Sequence, residues 1–306
     1  MEGLITKSTG RYYLVRNNDG MVVNCTLKGA YRLQEAVSTN PLAVGDRIEF
    51  DFEENEQVGV IKSLLERKNY MIRKAINLSH KSQIIAANID MAYLVVCLFN
   101  PRTSTGFIDR FLVTAEAYRI PVTLIFNKRD LYNVEALEIQ EELMQLYQEI
   151  SYECFSISAY NPDDVAKIKD LMSDRINLFS GHSGVGKTTL LNAINPTLNL
   201  KTASISKTHA KGVHTTTFAE LFEVEKDTFI VDTPGIRDFG MYDLKKEEVS
   251  HYFPEMLKIL NGCKFHNCLH LNEPECVVKA AVEAGIISAS RYHNYLSILD
   301  GEDIYK

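Results

Sequence analysis

Eight consecutive residues, Gly181-His182-Ser183-Gly184-Val185-Gly186-Lys187-Thr188, have the composition of a phosphate cradle. Glycines at these spacings let backbone N–H groups curl around phosphate oxygens, and a helix starting at the lysine adds its positive end. Lys187 would then reach the β- and γ-phosphates, and the Thr188 hydroxyl, followed by Thr189, would coordinate Mg²⁺. The pattern G-x-x-x-x-G-K-[ST] arises by chance in about one such chain in a hundred, so its context matters. It follows the apolar run Ile176-Asn177-Leu178-Phe179 and opens onto a helical Thr188-Thr189-Leu190-Leu191-Asn192-Ala193-Ile194. The alternative is a glycine-rich strand-to-helix turn that holds no ligand.

A second constellation reads a base. Asn127-Lys128-Arg129-Asp130 follows the strand-like Pro121-Val122-Thr123-Leu124-Ile125-Phe126. A carboxylate at Asp130 can accept hydrogen bonds from guanine N1–H and its 2-amino group, neither of which adenine offers. Asn127 can bond the base edge and tether the phosphate loop, while the Lys128 stem lies over the ring. The tetrad alone is weak, since N-K-x-D occurs by chance in about one such chain in twenty-five. Ser158-Ala159, at the end of the next strand-like run, supplies a backbone N–H for the guanine oxygen and strengthens it. Together these residues favour GTP over ATP.

Asp232-Thr233-Pro234-Gly235 follows the run Phe229-Ile230-Val231. A carboxylate at the carboxyl end of a parallel strand can hold the Mg²⁺ shell through water, and the Gly235 N–H can sense the γ-phosphate. Between this tetrad and the phosphate loop, Lys201, Lys207, His209, Lys211 and His214 occur without an acid, in a segment ending Gly212-Val213-His214-Thr215-Thr216-Thr217. Thr216, with Thr215 as the close alternative, completes the Mg²⁺ shell in this reading; an ordinary solvated loop explains the lysines almost as well. Ile236 stands where a water-orienting glutamine would be needed, and an aliphatic side chain orients no water. Hydrolysis should therefore be slow alone and draw on His214 or on a partner, a contribution worth about 10³–10⁵ in rate. A plain loop histidine is the commoner role for His214.

In the C-terminal region Cys263, Cys268, His270 and Cys276 form C-x₄-C-x-H-x₅-C. Three thiols and an imidazole suit a closed, tetrahedral structural zinc site without an open catalytic position. Disulfides are the alternative, as is His266 for the imidazole. Cys25, Cys97 and Cys154 stand alone in strand-like runs and read as buried small hydrophobes.

These residues need a scaffold. Residues 1–70 read as short alternating strands: Tyr12-Tyr13-Leu14-Val15, the turn Asn17-Asn18-Asp19-Gly20, Met21 to Leu27, then Arg47-Ile48-Glu49-Phe50-Asp51-Phe52 and Val58-Gly59-Val60-Ile61. A five-stranded oligonucleotide-binding barrel fits, as does any small β domain. From residue 62 to 81, Lys62, Arg67, Lys68, Arg73, Lys74 and Lys81 face one acid, Glu66, marking a linker, a contact patch or simply a solvated face. Beyond it, the near-continuous apolar run 91–99 and those at 121–126, 154–157, 176–179 and 228–231 alternate with helical stretches near 107–118, 133–149 and 163–174. That alternation predicts a doubly wound α/β sheet. From about 245 onward the pattern is helical. The expected domains are residues 1–70, 71–242 and 243–306.

The order is unusual, because the guanine-reading residues precede the phosphate loop. One sheet can still form if the chain is cut elsewhere and the old termini joined, so the arrangement predicts a circularly permuted GTPase. With 306 residues and no uninterrupted apolar stretch of spanning length, nothing here predicts a membrane helix, and the N-terminus lacks a signal-peptide layout. A cytoplasmic protein is expected. A net charge of −7, from 33 basic and 40 acidic residues, excludes a generally basic nucleic-acid binder. Any polyanion must be met by local patches, with steep salt dependence.

Taken together, these motifs resemble the bacterial ribosome small-subunit-dependent GTPase A family. The likeness rests on residues 127–130, 181–189, 212–217 and 232–235, and on Cys263, Cys268, His270 and Cys276. It covers nearly the whole chain. It implies an α/β permuted P-loop GTPase domain with an N-terminal OB-type barrel and a C-terminal helical zinc-binding domain. It further implies a monomer that assists late maturation of the 30S ribosomal subunit, contacts 16S rRNA near the decoding region, and leaves after hydrolysis of GTP stimulated by the subunit. One departure is Val213, where arginine is expected. Two other classes stay open. A small-molecule kinase or ATPase would make the guanine tetrad accidental, and a nucleotide-gated RNA-binding scaffold with incidental hydrolysis is favoured by Ile236.

Overall fold

The computed structural model describes residues 1–9, 12–27, 41–52, 58–74, 82–200, 219–232 and 244–301. Its strands are β1 (Glu2–Ser8), β2 (Tyr13–Asn17), β3 (Val22–Leu27), β4 (Arg47–Asp51), β5 (Gly59–Leu64), β6 (Tyr70–Lys74), β7 (Ser82–Ala87), β8 (Met91–Val96), β9 (Val122–Phe126), β10 (Glu153–Ser156), β11 (Ile176–Ser180), β12 (Glu220–Glu225) and β13 (Thr228–Asp232). Helices are α1 (Thr105–Ala117), α2 (Val134–Glu149), α3 (Pro162–Met172), α4 (Lys187–Ile194), α5 (Lys246–Val249), α6 (Pro254–Leu257), α7 (Val277–Glu283) and α8 (Ala289–Asp300). The chain divides into two compact units. One comprises Met1–Ala92, Pro162–Ser180 and Thr188–Ile236; the other comprises Tyr93–Asn161, Gly181–Lys187 and Arg237–Lys306.

In the first unit, β1 to β5 close a barrel. β1 pairs with β2, β2 with β3, β3 runs parallel to β5, β5 pairs with β4, and β4 returns to β1. The turn after β2 is set by its own sequence: the Asn17 side chain accepts from the N–H groups of Asp19 (3.0 Å) and Met21 (2.8 Å), and Gly20 takes φ +85°. Alternation puts Ile48 and Phe50 inside and Arg47, Glu49 and Asp51 outside, as expected from the sequence. Ile5, Tyr13, Val15, Val23, Cys25, Leu27, Leu42 and Ile61 join them in the core. A side chain at Gly3 would meet Val15 Cγ1 at 2.4 Å, so closure needs glycine there. The five-stranded barrel is thus the correct one of the two readings.

β1 also has a register shift between Ile5 and Lys7, after which Lys7 pairs with Glu220 of β12. β12 runs antiparallel to β13, which is parallel to β11. The antiparallel β12, which the strand pattern of the sequence does not predict, makes the sheet mixed and not wholly parallel. The basic stretch is also partly spoken for. Arg67 lies bidentate on the buried Asp46 (2.6 and 2.7 Å) and reaches the Pro41 carbonyl, while Lys62 pairs with Asp51 and Lys68 with Asp90. Arg67 braces the barrel and offers little to a polyanion. Lys81 lies outside the described residues, as do the side chains of Arg73 and Lys74.

In the second unit, β9 lies between β10 and β8, and β9 and β10 are parallel. β9 is buried at every position, each large apolar side chain contributing about 1.5–3 kcal/mol. Ser104 caps α1 by accepting from Phe107 N, and Asn133 caps α2 by accepting from Ala136 N. One face of α1 is shared with the C-terminal helices: Val113 packs in one core with Val249, Phe253, Met256, Val278, Tyr295 and Ile298. Beside it lies a buried ionic knot. Arg291 donates to Asp109 (2.6 Å) and forks onto Glu255 (2.8 and 3.0 Å), while Asn294 and Tyr147 donate to Asp109 at 2.6 and 2.9 Å. Burial opposes charge on Arg291, but the adjoining Asp109 and Glu255 carboxylates outweigh it and hold the guanidinium protonated.

Removing one partner would leave an uncompensated buried charge. Arg291→Met should cost about 3–5 kcal/mol, read from the urea-unfolding midpoint. Adding Asp109→Asn should recover part of that loss, because the neutral amide needs no counter-ion.

Candidate nucleotide site and cysteine–histidine cluster

β9 delivers the chain to Asn127, whose N–H donates to the Val96 carbonyl at 2.9 Å. The Asn127 side chain is buried and engaged at both ends. Its Nδ2 donates to the Val185 carbonyl at 2.9 Å, and its Oδ1 accepts from Ala159 N–H at 3.1 Å. One amide therefore ties together the base-reading segment, the Ser158-Ala159 turn and the phosphate loop. Lys128 adopts a left-handed φ of +70° and its Nζ donates to the Asn100 carbonyl at 2.5 Å. Arg129 turns away to the Ser156 carbonyl (3.1 Å), and Asp130 stands exposed in the short 3₁₀ turn Arg129–Leu131. Ser158 Oγ accepts from Tyr160 N–H at 3.2 Å, which shapes the turn that presents Ala159.

The phosphate loop leaves β11 at Ser180. A Cβ on Gly181 (φ +139°) would lie 2.2 Å from the Val95 carbonyl oxygen, and one on Gly186 (φ +98°) 2.3 Å from Asn127 Nδ2. Both positions therefore require glycine, and the loop is seated against the base-reading segment because of it. Lys187 Nζ donates to the carbonyls of Gly181 (2.5 Å) and His182 (2.7 Å), curling the loop around its own ammonium. Val185 is buried beneath, whereas Ser183 and Gly184 are exposed. The His182 ring lies 3.9 Å from that of Phe107; burial and the Lys187 charge push its pKa down, so the imidazole is neutral and adds no charge. Thr188 and Thr189 are the second and third residues of α4. Asp232 ends β13 at the end of the sheet where β11 runs into the loop, since the two strands are parallel with Leu178 opposite Val231. Its side chain lies outside the described residues, as do His214, Thr215, Thr216 and Gly235.

Two contributors escaped the sequence reading. The Cys97 thiol, taken there as a small hydrophobe, is buried, but it also approaches the carbonyls of Val185 (3.4 Å) and Asn127 (3.6 Å). Tyr132 Oη donates to the Asn127 carbonyl at 3.2 Å. Neither belongs to a motif, so spacing gave no signal for them. Cys25 and Cys154 are buried, with burial raising their thiols to about 11 and about 12, as suits inert core residues.

Cys263, Cys268, His270 and Cys276 converge, their ligand atoms all within 4.8 Å of one another. His270 Nδ1 lies 3.3 Å from Cys276 Sγ and 3.7 Å from Cys263 Sγ. Zn–S bonds of about 2.3 Å and Zn–N bonds of about 2.0 Å give tetrahedron edges of this size, so the four residues fit zinc. The hydroxyls of Tyr292 and Tyr295 donate to the His270 (2.5 Å) and Leu269 (2.8 Å) carbonyls, fixing the loop that carries the imidazole. His266 is exposed and stays outside the cluster.

A mixed α/β core whose base-reading segment precedes its phosphate loop, with an N-terminal five-stranded barrel, defines a circularly permuted GTPase. The RsgA GTPase family model matches residues 64–242, and the RsgA N-terminal domain model matches residues 2–61. The chain belongs to the RsgA GTPase family. It is 52% identical over 305 residues to the small ribosomal subunit biogenesis GTPase RsgA of Christiangramia forsetii, covering 99% of this chain and 97% of the relative. To the protein of that name from Bacteroides fragilis strain ATCC 25285 it is 50% identical over 303 residues, covering 99% and 97%. Among solved structures it resembles YjeQ from Thermotoga maritima (TM-score 0.79, 34% identity, 98% of this chain and 97% of that one). It also resembles YloQ, a circularly permuted GTPase (TM-score 0.77, 30% identity, 99% and 96%).

Atomic-emission analysis of the purified protein should find about one zinc per chain. Cys276→Ser should remove most of it and lower the melting temperature, because four-ligand binding energy is also folding energy.

Proposed function

We propose that this GTPase binds GTP across the Asn127–Val185 junction, hydrolyses it to GDP and phosphate, and acts in biogenesis of the small ribosomal subunit. In this reading Asp130 accepts from guanine N1–H and the 2-amino group. The Ser158-Ala159 turn, held by its bond to Asn127, offers a backbone N–H to the guanine oxygen, and the Lys128 stem covers the ring while Arg129 holds the segment to β10. Residues 181–187 cradle the phosphates with their N–H groups, Lys187 neutralises the β- and γ-oxygens, and Thr189 extends the helix start. Thr188 and Thr216, or Thr215 in its place, hold Mg²⁺, with Asp232 acting through water and Gly235 N–H on the γ-phosphate. The observation that carries the reading is the 2.9 Å bond from Asn127 to Val185, which joins the two motifs across 58 positions of chain.

Hydrolysis requires a water positioned in line with the γ-phosphate, and Ile236 supplies no polar group to hold it. His214 or the ribosomal partner therefore completes the site, and turnover rises when that partner binds. The names of the relatives support the 30S subunit as partner, and the barrel and helical module suit contacts to 16S rRNA. The protein works as a cytoplasmic monomer, with domains at 1–70, 71–242 and 243–306 and one structural zinc on Cys263, Cys268, His270 and Cys276. Among the described residues no helix is long and apolar enough to cross a membrane.

Purified 30S subunits should raise the GTPase rate by at least about tenfold, and Lys187→Ala should abolish the stimulated rate. No rise would favour a nucleotide-gated scaffold. Asp130→Asn should weaken GTP binding and favour xanthosine triphosphate, whose C2 oxygen accepts from the new amide. Equal turnover of ATP and GTP by the wild type would overturn the guanine assignment.

A further inference from the structure

The segment joining β8 to α1, residues 97–104, belongs to none of the motifs above, yet it is built as a brace. It is closed on itself: Thr103 N–H donates to the Cys97 carbonyl at 2.8 Å, and Cys97 N–H donates to Thr103 Oγ1 at 3.2 Å. One side is fastened to the base-reading segment. Tyr132 Oη accepts from Leu98 N–H at 3.0 Å and donates to the Asn127 carbonyl at 3.2 Å, so a single hydroxyl bridges the two backbones. Its ring stands edge-on to Phe99 at 6.0 Å. The Asn100 carbonyl receives the Lys128 ammonium. On the other side the brace reaches the phosphate loop, where a Cβ on Gly184 would sit 3.4 Å from Pro101 Cδ.

We infer that residues 97–104 form a third wall of the nucleotide site, and that Tyr132 and the Asn100 carbonyl are positioning elements for guanine recognition. The first hydrogen bond fixes the carbonyl of Asn127, three residues before Asp130, and so sets where that carboxylate stands. The second pins the Lys128 head to the brace, so that its stem lies across the purine face. Neither group touches the nucleotide. Burial raises the Tyr132 pKa, which keeps its hydroxyl protonated and able to donate. This assignment rests on the nucleotide placement proposed above.

The test compares full-length wild type with Tyr132→Phe, which removes only the bridging oxygen. Fluorescent N-methylanthraniloyl (mant) GDP and its inosine counterpart, which lacks the 2-amino group, are titrated against each. We expect the Kd for mant-GDP to rise about tenfold, chiefly through faster release. The preference for guanine over hypoxanthine should fall about threefold or more, with the melting temperature changing by only a few degrees. A purely structural tyrosine would shift the melting temperature or both affinities together and leave the preference intact; that result overturns the proposal. Should Tyr132→Phe fail to fold, Thr103→Val loosens the brace from its other end and must lower the same preference. Asp130→Asn separates the two claims. If it leaves base preference unchanged, the nucleotide placement itself is wrong; if it changes preference and Tyr132→Phe does not, only the brace is.

Discussion

The site depends on one side-chain amide. Asn127 spends its donor on the phosphate loop and its acceptor on the Ser158-Ala159 turn, so three segments far apart in the chain share a single rigid reference point. A carboxylate, which only accepts, could satisfy one partner at most and an aliphatic chain neither, so a buried backbone group would be left unpaired. Gly186 follows from the same constraint. Only hydrogen at its α-carbon lets the loop come close enough for the amide to reach Val185. The glycine and the asparagine are in this sense one device distributed over two motifs.

Circular permutation leaves that device intact because hydrogen bonds and close packing depend on which groups meet in space and not on where the chain begins and ends. What changes is which segments are covalent neighbours. Here the chain reaches the phosphate loop from β11 only after the base-reading segment and its turn have been made. The motifs were legible for this reason: each is a short run whose chemistry is fixed by local backbone geometry. Their order could be read directly and their convergence inferred.

Other features were not legible, each for a physical reason. The barrel's closure depends on which strand edges remain free after the first hairpin, a property of the whole sheet that no short window carries. β12 buries Leu221 alone in the run Glu220-Leu221-Phe222-Glu223-Val224-Glu225, where two adjacent apolar residues among three acids break a strict alternation. The basic excess over residues 62–81 reads as a linker, a contact patch or a solvated face, yet Arg67 answers a carboxylate at Asp46, 21 positions away. Charge counts do not reveal pairing. Tyr132 and Cys97 contribute through single hydrogen-bonding atoms on side chains that apolar patterning counts as ordinary filling.

The knot around Asp109 bears on how the chain can be taken apart. By sequence pattern the helical module after residue 243 is a separate piece, but its Arg291, itself held by Glu255, and its Asn294 donate to the Asp109 carboxylate, as Tyr147 does. A chain ending before α5 would lose Arg291 and Asn294 together with the residues that pack on Val113, leaving Asp109 and an apolar face of α1 without their cover. The two pieces are thus heritable only as a pair: exchanging the helical module for a foreign counterpart means re-supplying a cation and an amide for Asp109 and an apolar cover for Val113.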